Sequence, residues 1–188
     1  LPRTARHADL LVAPSHAVAD KLASRLGVGT ERLAVVSVGV ERIVDGPNRP
    51  TDPPTVLYPA ATYPHKNHLV LVEAFARIAN QHPDARLVMT GAPGRADGEV
   101  RTAVAATELG ERIVLTGRIP AAELDALLVG ATIVAFPSAY EGFGIPVLES
   151  LAARVPVVVG AGTPAAEMAG GPVPVVDPSD PAAWAEAL

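Results

Sequence analysis

A doubly wound α/β fold, a parallel sheet wrapped by crossover helices, is predicted by two features of the chain. Short β-rich apolar runs alternate with longer stretches of helical period. Apolar residues make up 49% of the 188 positions, enough to bury a core of ordinary size. Charged residues are only 19% and the formal net charge is -5, so the basic stripe that displaces counterions from a polyanion is missing and nucleic acid is not an expected partner. No apolar run approaches the ~20 residues that span a bilayer, and the first residues lack the charged-then-apolar layout of a signal peptide. Membrane contact is not indicated and a cytoplasmic location is expected. With no cysteine there is neither a disulfide framework nor a thiolate metal site.

Taken in order, strands are expected at residues 9–13, 33–38, 55–58, 86–90, 112–116, 133–136, 155–159 and 173–176, with helices between them. The clearest helix is 68–81, where Leu71, Phe75 and Ile78 recur at spacings of four and three and His82-Pro83 closes the run. Ser15 is the expected N-cap of a helix reaching Leu26, with Gly27 at its end. Between 41 and 54 the pattern lapses into Gly46, Pro47, Pro50, Pro53 and Pro54, which reads as a linker. Residues 1–40, a strand-helix-strand piece, then read as the tail and hinge of another domain, and 55–188 as a domain of about six βα units.

The segment Pro137-Ser-Ala-Tyr-Glu-Gly-Phe-Gly-Ile-Pro-Val-Leu-Glu149 carries the most chemistry. It follows a strand and opens a helix near Pro146, whose fixed φ suits a first helical turn. Gly142 and Gly144 allow close backbone approach, and a helix N-terminus offers N–H groups and a positive dipole end to an anion. Glu141 and Glu149 bracket the loop. Glycine-rich strand-to-helix turns are common in α/β folds, so the loop alone is weak evidence. Lys66, in Tyr63-Pro-His-Lys-Asn-His68, strengthens it, because it also lies between a strand and a helix and belongs on the same carboxyl edge of the sheet, where open α/β sheets bind ligands.

On these residues the sequence resembles the GT-B retaining glycosyltransferases of the large family 4, also called group 1, over nearly the whole chain. The E-x7-E signature stands as Glu141-Gly-Phe-Gly-Ile-Pro-Val-Leu-Glu149, with Phe136-Pro-Ser138 ahead and Pro156-Val-Val158 behind. Tyr58-Pro-Ala, Pro64-His-Lys-Asn-His68, Leu115-Thr-Gly-Arg118, Glu123-Leu124 and Val176-Asp-Pro178 fall in the family's order. The resemblance implies a Rossmann-like C-terminal domain, residues 55–188, that binds a nucleotide-diphospho-sugar donor. It implies that Lys66 neutralises the diphosphate and that Glu149 accepts hydrogen bonds from the ribose. Glu141, the catalytic candidate, would hold the transferred sugar together with the backbone of Gly142, Phe143, Gly144 and Ile145, and Gly117 and Arg118 would lie beside the base. It further implies a hexosyltransferase reaction with front-face displacement, no cofactor and no metal. The hydroxyl acceptor would be bound by an N-terminal domain of which residues 1–40 are only the end, so the fragment alone is expected to be inactive.

Three positions depart from the family pattern. Ala60 and Ala61 stand where an arginine often serves as a second diphosphate ligand, Arg154 stands where glycine is usual, and most of the acceptor domain is not in the chain. A competing motif, Gly160-Ala-Gly-Thr-Pro-Ala165, spells the dinucleotide fingerprint, with Asp177 further on. It is set aside because the segment before Gly170-Gly171 looks too short for a βαβ crossover. Glu167 is expected to face the sugar pocket. A non-catalytic nucleotide-sugar-binding module and a nucleotide-sugar epimerase remain as alternatives. The histidines, His7, His16, His65, His68 and His82, lack partnered carboxylates at ligand spacing and read as surface or capping residues.

Overall fold

The computed structural model describes residues 2–39 and 48–188. A short N-terminal layer comes first: α1 (Pro2–His7), β1 (Leu11–Ala13), α2 (His16–Leu26) and β2 (Leu33–Val35), with β1 and β2 paired in parallel. As expected, Ser15 caps α2, its hydroxyl accepting from Val18 N, and Gly27 ends it at φ 63. The strand expected at 33–38 stops at Val35, and Val36 and Val38 are exposed.

The main sheet is built from β3 (Thr55–Pro59), β4 (Arg86–Thr90), β5 (Ile113–Gly117), β6 (Ile133–Phe136), β7 (Val157–Gly160) and β8 (Val175–Val176). Its spatial order is β5-β4-β3-β6-β7-β8 and every pairing is parallel. The chain winds outward from β3 to β5, returns to the centre at β6, and winds outward the other way. Such a sheet has both faces covered, which is why β3 and β7 read as continuous apolar runs rather than alternating ones. The crossovers are α3 (His68–Ile78), α4 (Asp97–Ala106), α5 (Ala121–Gly130), α6 (Ile145–Ala152) and α7 (Pro164–Ala169), followed by α8 (Pro181–Ala187). α3 ends three residues before the expected 81, because Gln81 and His82 turn back to bond Ile78 O.

Two readings need correction. Of the proposed linker, 41–47 lies outside the described residues, but 48–51 is fastened to the domain. Asn48 Nδ2 donates to Val129 O and Ala131 O, and Arg49 N and Thr51 N donate to Val129 O and Gly130 O. This strip satisfies carbonyls at the end of α5 that the helix itself leaves unpaired, so its prolines mark an extended docked segment. The second correction concerns the crossover between β7 and β8. It does fit: α7 occupies part of residues 161–174 and the two strands are parallel.

The core runs through Leu57, Tyr58, Leu87, Met89, Val134, Phe136 and Val158, all essentially inaccessible. α8 packs on α3 and closes this core with Trp184, whose indole N–H donates to Asp177 O at 2.9 Å. Trp184→Ala is expected to cost ~3–5 kcal/mol of stability, measured by urea unfolding, with the pocketed side chain and its indole hydrogen bond to the Asp177 carbonyl both lost. A midpoint like that of the parent chain would place α8 outside the cooperative unit.

Candidate functional site

The sheet order reverses between β3 and β6, and the loops that leave their carboxyl ends diverge there. A crevice at such a point is where doubly wound sheets bind ligands. The loop after β3 forms a 3-10 turn, Pro64–Lys66, then Asn67 at φ 53, and α3 begins. The loop after β6 carries Pro137 to Gly144, and α6 begins. Lys66 and Glu141, predicted from the sequence to share this edge, meet in it: Lys66 Nζ lies 2.5 Å from Glu141 Oε1. Their side chains are 17% and 10% exposed, so the pair is largely withdrawn from water. The ammonium also lies 5.7 Å from the Phe136 ring centroid, a cation–π contact that offsets part of its lost hydration.

Gly144 sits at φ 103 as the residue before α6, with no side chain capping the helix. A Cβ there would lie 2.9 Å from Ala165 Cα and Cβ, so α7 packs against the backbone at this position. Gly142 is open to solvent with nothing near a would-be Cβ, whereas Phe143 turns into the protein at 7% exposure. Ile145 is exposed at the start of α6. The α6 N-terminus therefore presents an uncapped turn and a positive dipole end next to the ion pair. Glu149 lies one turn further along α6 and is half-buried.

A second cleft, of about 280 Å³, lies along the same sheet edge and is lined by Pro59 to Ala61, Thr90 to Ala92, Arg118, Ile119 and Leu124. Gly117 ends β5 at φ 71, and its carbonyl accepts from Gly91 N at 2.9 Å. Arg118 is exposed at this cleft. It thus shares a cavity with Ala60 and Ala61. Arg154, at the other departure, adopts φ 59, a left-handed conformation that explains why glycine suits that place.

The residues that sequence reasoning missed lie beneath these loops. Tyr58 Oη donates to Lys66 O at 2.6 Å and lies 3.0 Å from Ser138 Oγ; burial pushes its phenol pKa up, so it stays a donor. Gly91 and Gly94 let the loop after β4 pack on the 60–62 backbone, a Cβ at Gly91 falling 2.4 Å from Ala60 C and O. The glycines flanking Ala92-Pro93 after a strand were a signal for this close approach. His68, read as a surface or capping residue, is instead 2% exposed beside Tyr58, with Nε2 donating to Ala60 O at 3.2 Å and Nδ1 buried without a partner. Glu167 is also corrected. Its carboxylate accepts from His16 N and Ala17 N, both at 2.9 Å, and so receives the first amides of α2 rather than facing a sugar pocket. Asp177, offered as a ribose ligand in the dinucleotide reading, accepts from Ser179 N and Oγ.

With this geometry, a family model described as Glycosyl transferases group 1 matches residues 40–188. The chain belongs to that family. Among similar proteins, the D-inositol 3-phosphate glycosyltransferase of Corynebacterium glutamicum is 31% identical over 97% of this chain and 48% of its own length. Sucrose-phosphate synthase from Thermosynechococcus elongatus superposes with a TM-score of 0.82 at 23% identity, over 99% of this chain and 49% of its own. Anabaena HepE, solved in complex with UDP and glucose, superposes with a TM-score of 0.78 at 20% identity, over 97% of this chain and 53% of its own. This family member therefore spans about half the length of the relatives it matches. No helix among the described residues is long and apolar enough to cross a membrane.

Burial holds the His68 ring neutral, with a pKa of about 4 against the ordinary 6.5. Between those values the unfolded chain binds a proton that the folded chain does not. Stability is therefore expected to fall as pH drops from about 6.5 to about 4, by about 3 kcal/mol from this residue. Urea unfolding of the parent chain and His68→Gln across that range checks it: the variant should lose less on acidification. Gly144→Ala combines a disfavoured φ with the Ala165 contact, and we expect it to cost ~1–3 kcal/mol and to shift the amide resonances of the 142–148 turn. An unperturbed turn would contradict the tight fit.

Proposed function

We propose that residues 55–188 form the donor-binding domain of a retaining, family 4 glycosyltransferase, which moves a hexose from a nucleotide-diphospho-sugar to a hydroxyl acceptor. The observation that carries this reading is the Lys66–Glu141 ion pair, withdrawn from water at the switch point and set against the uncapped α6 N-terminus. One cation, one carboxylate and a row of backbone amides meet where a diphosphate and its sugar require all three. The name of the Anabaena relative, which holds UDP and glucose, supports the same class of donor.

On this reading Lys66 is parked on Glu141 until the donor arrives. The diphosphate then takes the ammonium and the amides at Gly142 to Ile145, and Glu141 turns to the sugar hydroxyls. Glu149 accepts from the ribose hydroxyls. The cleft that holds Arg118 receives the base, and Arg118 supplies the second cation that Ala60 and Ala61 cannot. Charge on the leaving diphosphate is balanced by lysine, arginine and helix-end amides, so the reaction needs no metal and no cofactor. The bond from the anomeric carbon to the diphosphate oxygen breaks through an oxocarbenium-like state, the acceptor oxygen bonds to that carbon on the same face, and the acceptor's proton passes to the leaving diphosphate, without a protein nucleophile. The acceptor is held by the part of the parent protein that corresponds to the relatives' other half.

Calorimetric titration with UDP and GDP tests the site. Glu149→Ala should lower affinity by ~10- to 100-fold, the worth of hydrogen bonds to a charged acceptor. Glu141→Ala should not lower it, since the variant loses the competitor for Lys66, while turnover in the full-length parent should drop because sugar positioning is realised in the transition state. Both titrations should be unchanged by EDTA. Loss of nucleotide affinity in Glu141→Ala, or abolition by EDTA, would overturn these roles, and sugar epimerisation without an acceptor would mark an epimerase.

A further inference from the structure

We propose that Asn67 is a positioning residue of this site, a clasp that joins the loops after β3, β6 and β8 and thereby sets where the Lys66 ammonium sits. The inference rests on the donor-site reading above. Asn67 precedes α3, where asparagine normally accepts from the first helical amides, yet its backbone is left-handed, at φ 53 and ψ 38, and its side chain makes no capping bond. Instead Asn67 Nδ2 donates to Pro137 O at 3.0 Å and to Pro178 O at 2.9 Å. Both partners are carbonyls, which fixes the orientation of the amide and uses both of its hydrogens.

Those carbonyls come from loops that start two strands apart. β7 lies between β6 and β8, and its last residue is Gly160, the first glycine of the apparent dinucleotide fingerprint. A Cβ on Gly160 would stand 2.7 Å from Ser138 O and 3.4 Å from Pro178 Cβ. The missing side chain is what lets the two loops close over the end of β7 and reach Asn67. The fingerprint glycine thus has a job in this fold that involves no dinucleotide.

The clasp surrounds Lys66. Tyr58 Oη holds the Lys66 carbonyl, Asn67 is the next residue, and Ala139 N donates to His65 O at 2.8 Å on the preceding one. Glu141 hangs from the loop that Asn67 grips at Pro137. The relative position of the cation and the carboxylate therefore depends on the bonds of one side-chain amide and the space left by one glycine, together with the Tyr58 and Ala139 contacts.

The test compares how the 188-residue chain binds UDP and uridine, and GDP and guanosine, by ligand-observed NMR. Lys66 senses only the phosphates. Lys66→Ala should cut the preference for diphosphate over nucleoside by ~10- to 100-fold. Asn67→Gly keeps the left-handed backbone but removes the amide, and should cut the same preference by ~10-fold with nucleoside affinity retained. In the Lys66→Ala background Asn67→Gly should add nothing, because it acts through the lysine. Gly160→Ala, which leaves Asn67 in place and wedges the loops, should reproduce the phosphate-selective loss. Equal loss of UDP and uridine affinity would reveal a merely structural role, and additive effects of the Lys66 and Asn67 variants, or wild-type preference in either Asn67→Gly or Gly160→Ala, would overturn the clasp. A parent chain that binds neither UDP nor GDP would instead defeat the donor reading, and this inference with it.

Discussion

Strands β3 and β6 pair through Val56↔Ile133 and Leu57↔Val134, and the rest of the molecule is arranged around that contact. It is the place where the winding of the chain changes direction, so the crossovers on its two sides leave by different routes and the loops diverge at the carboxyl ends. The strand interiors that flank it, Leu57, Tyr58, Val134 and Phe136, are fully buried, which fixes the register and so the height at which each loop departs. Every polar feature of the site is a consequence. Lys66 and Glu141 are far apart in sequence and become neighbours because their parent strands are adjacent.

In the proposed role the ion pair is poised rather than stabilising. Withdrawing two charges from water costs free energy that their attraction does not fully return, so a largely buried pair of this kind is weak evidence for stability. On the donor reading proposed above, its placement between an aromatic ring and an uncapped helix turn stores a cation where an anion would sit. Around the pair the backbone is braced by uncharged donors, the Tyr58 phenol and the Asn67 amide. Neutral braces suit this role because they hold geometry without altering the local charge balance that the ligand must read.

Much of this was legible in the chain. Strands such as β3 and β7 were legible because strands buried on both faces are uniformly apolar, and the Glu141 to Glu149 loop because Lys66, between another strand and helix, belongs on the same carboxyl edge of the sheet. What stayed hidden was whatever depends on a partner distant in sequence. His68 looked polar and therefore exposed, but Tyr58 and Ala60 cover it. The proline-rich strip before Thr55 looked like a free linker, but the unpaired carbonyls of α5 give it somewhere to dock. The Gly160 motif spelled a familiar fingerprint, and only the crossing of two loops above it shows what the glycine is for. Lys66 was placed at the right edge by its strand, while its pairing with Glu141 is a property of the fold.

Glu167 has a bearing on the order in which the molecule assembles. Its carboxylate takes up the amides of His16 and Ala17 across a separation of 150 and 151 residues. Closing so long a loop costs entropy that is recovered only when the intervening sheet is already in place. The contact between the N-terminal layer and α7 therefore adds its free energy only once the sheet that lies between them in sequence has formed.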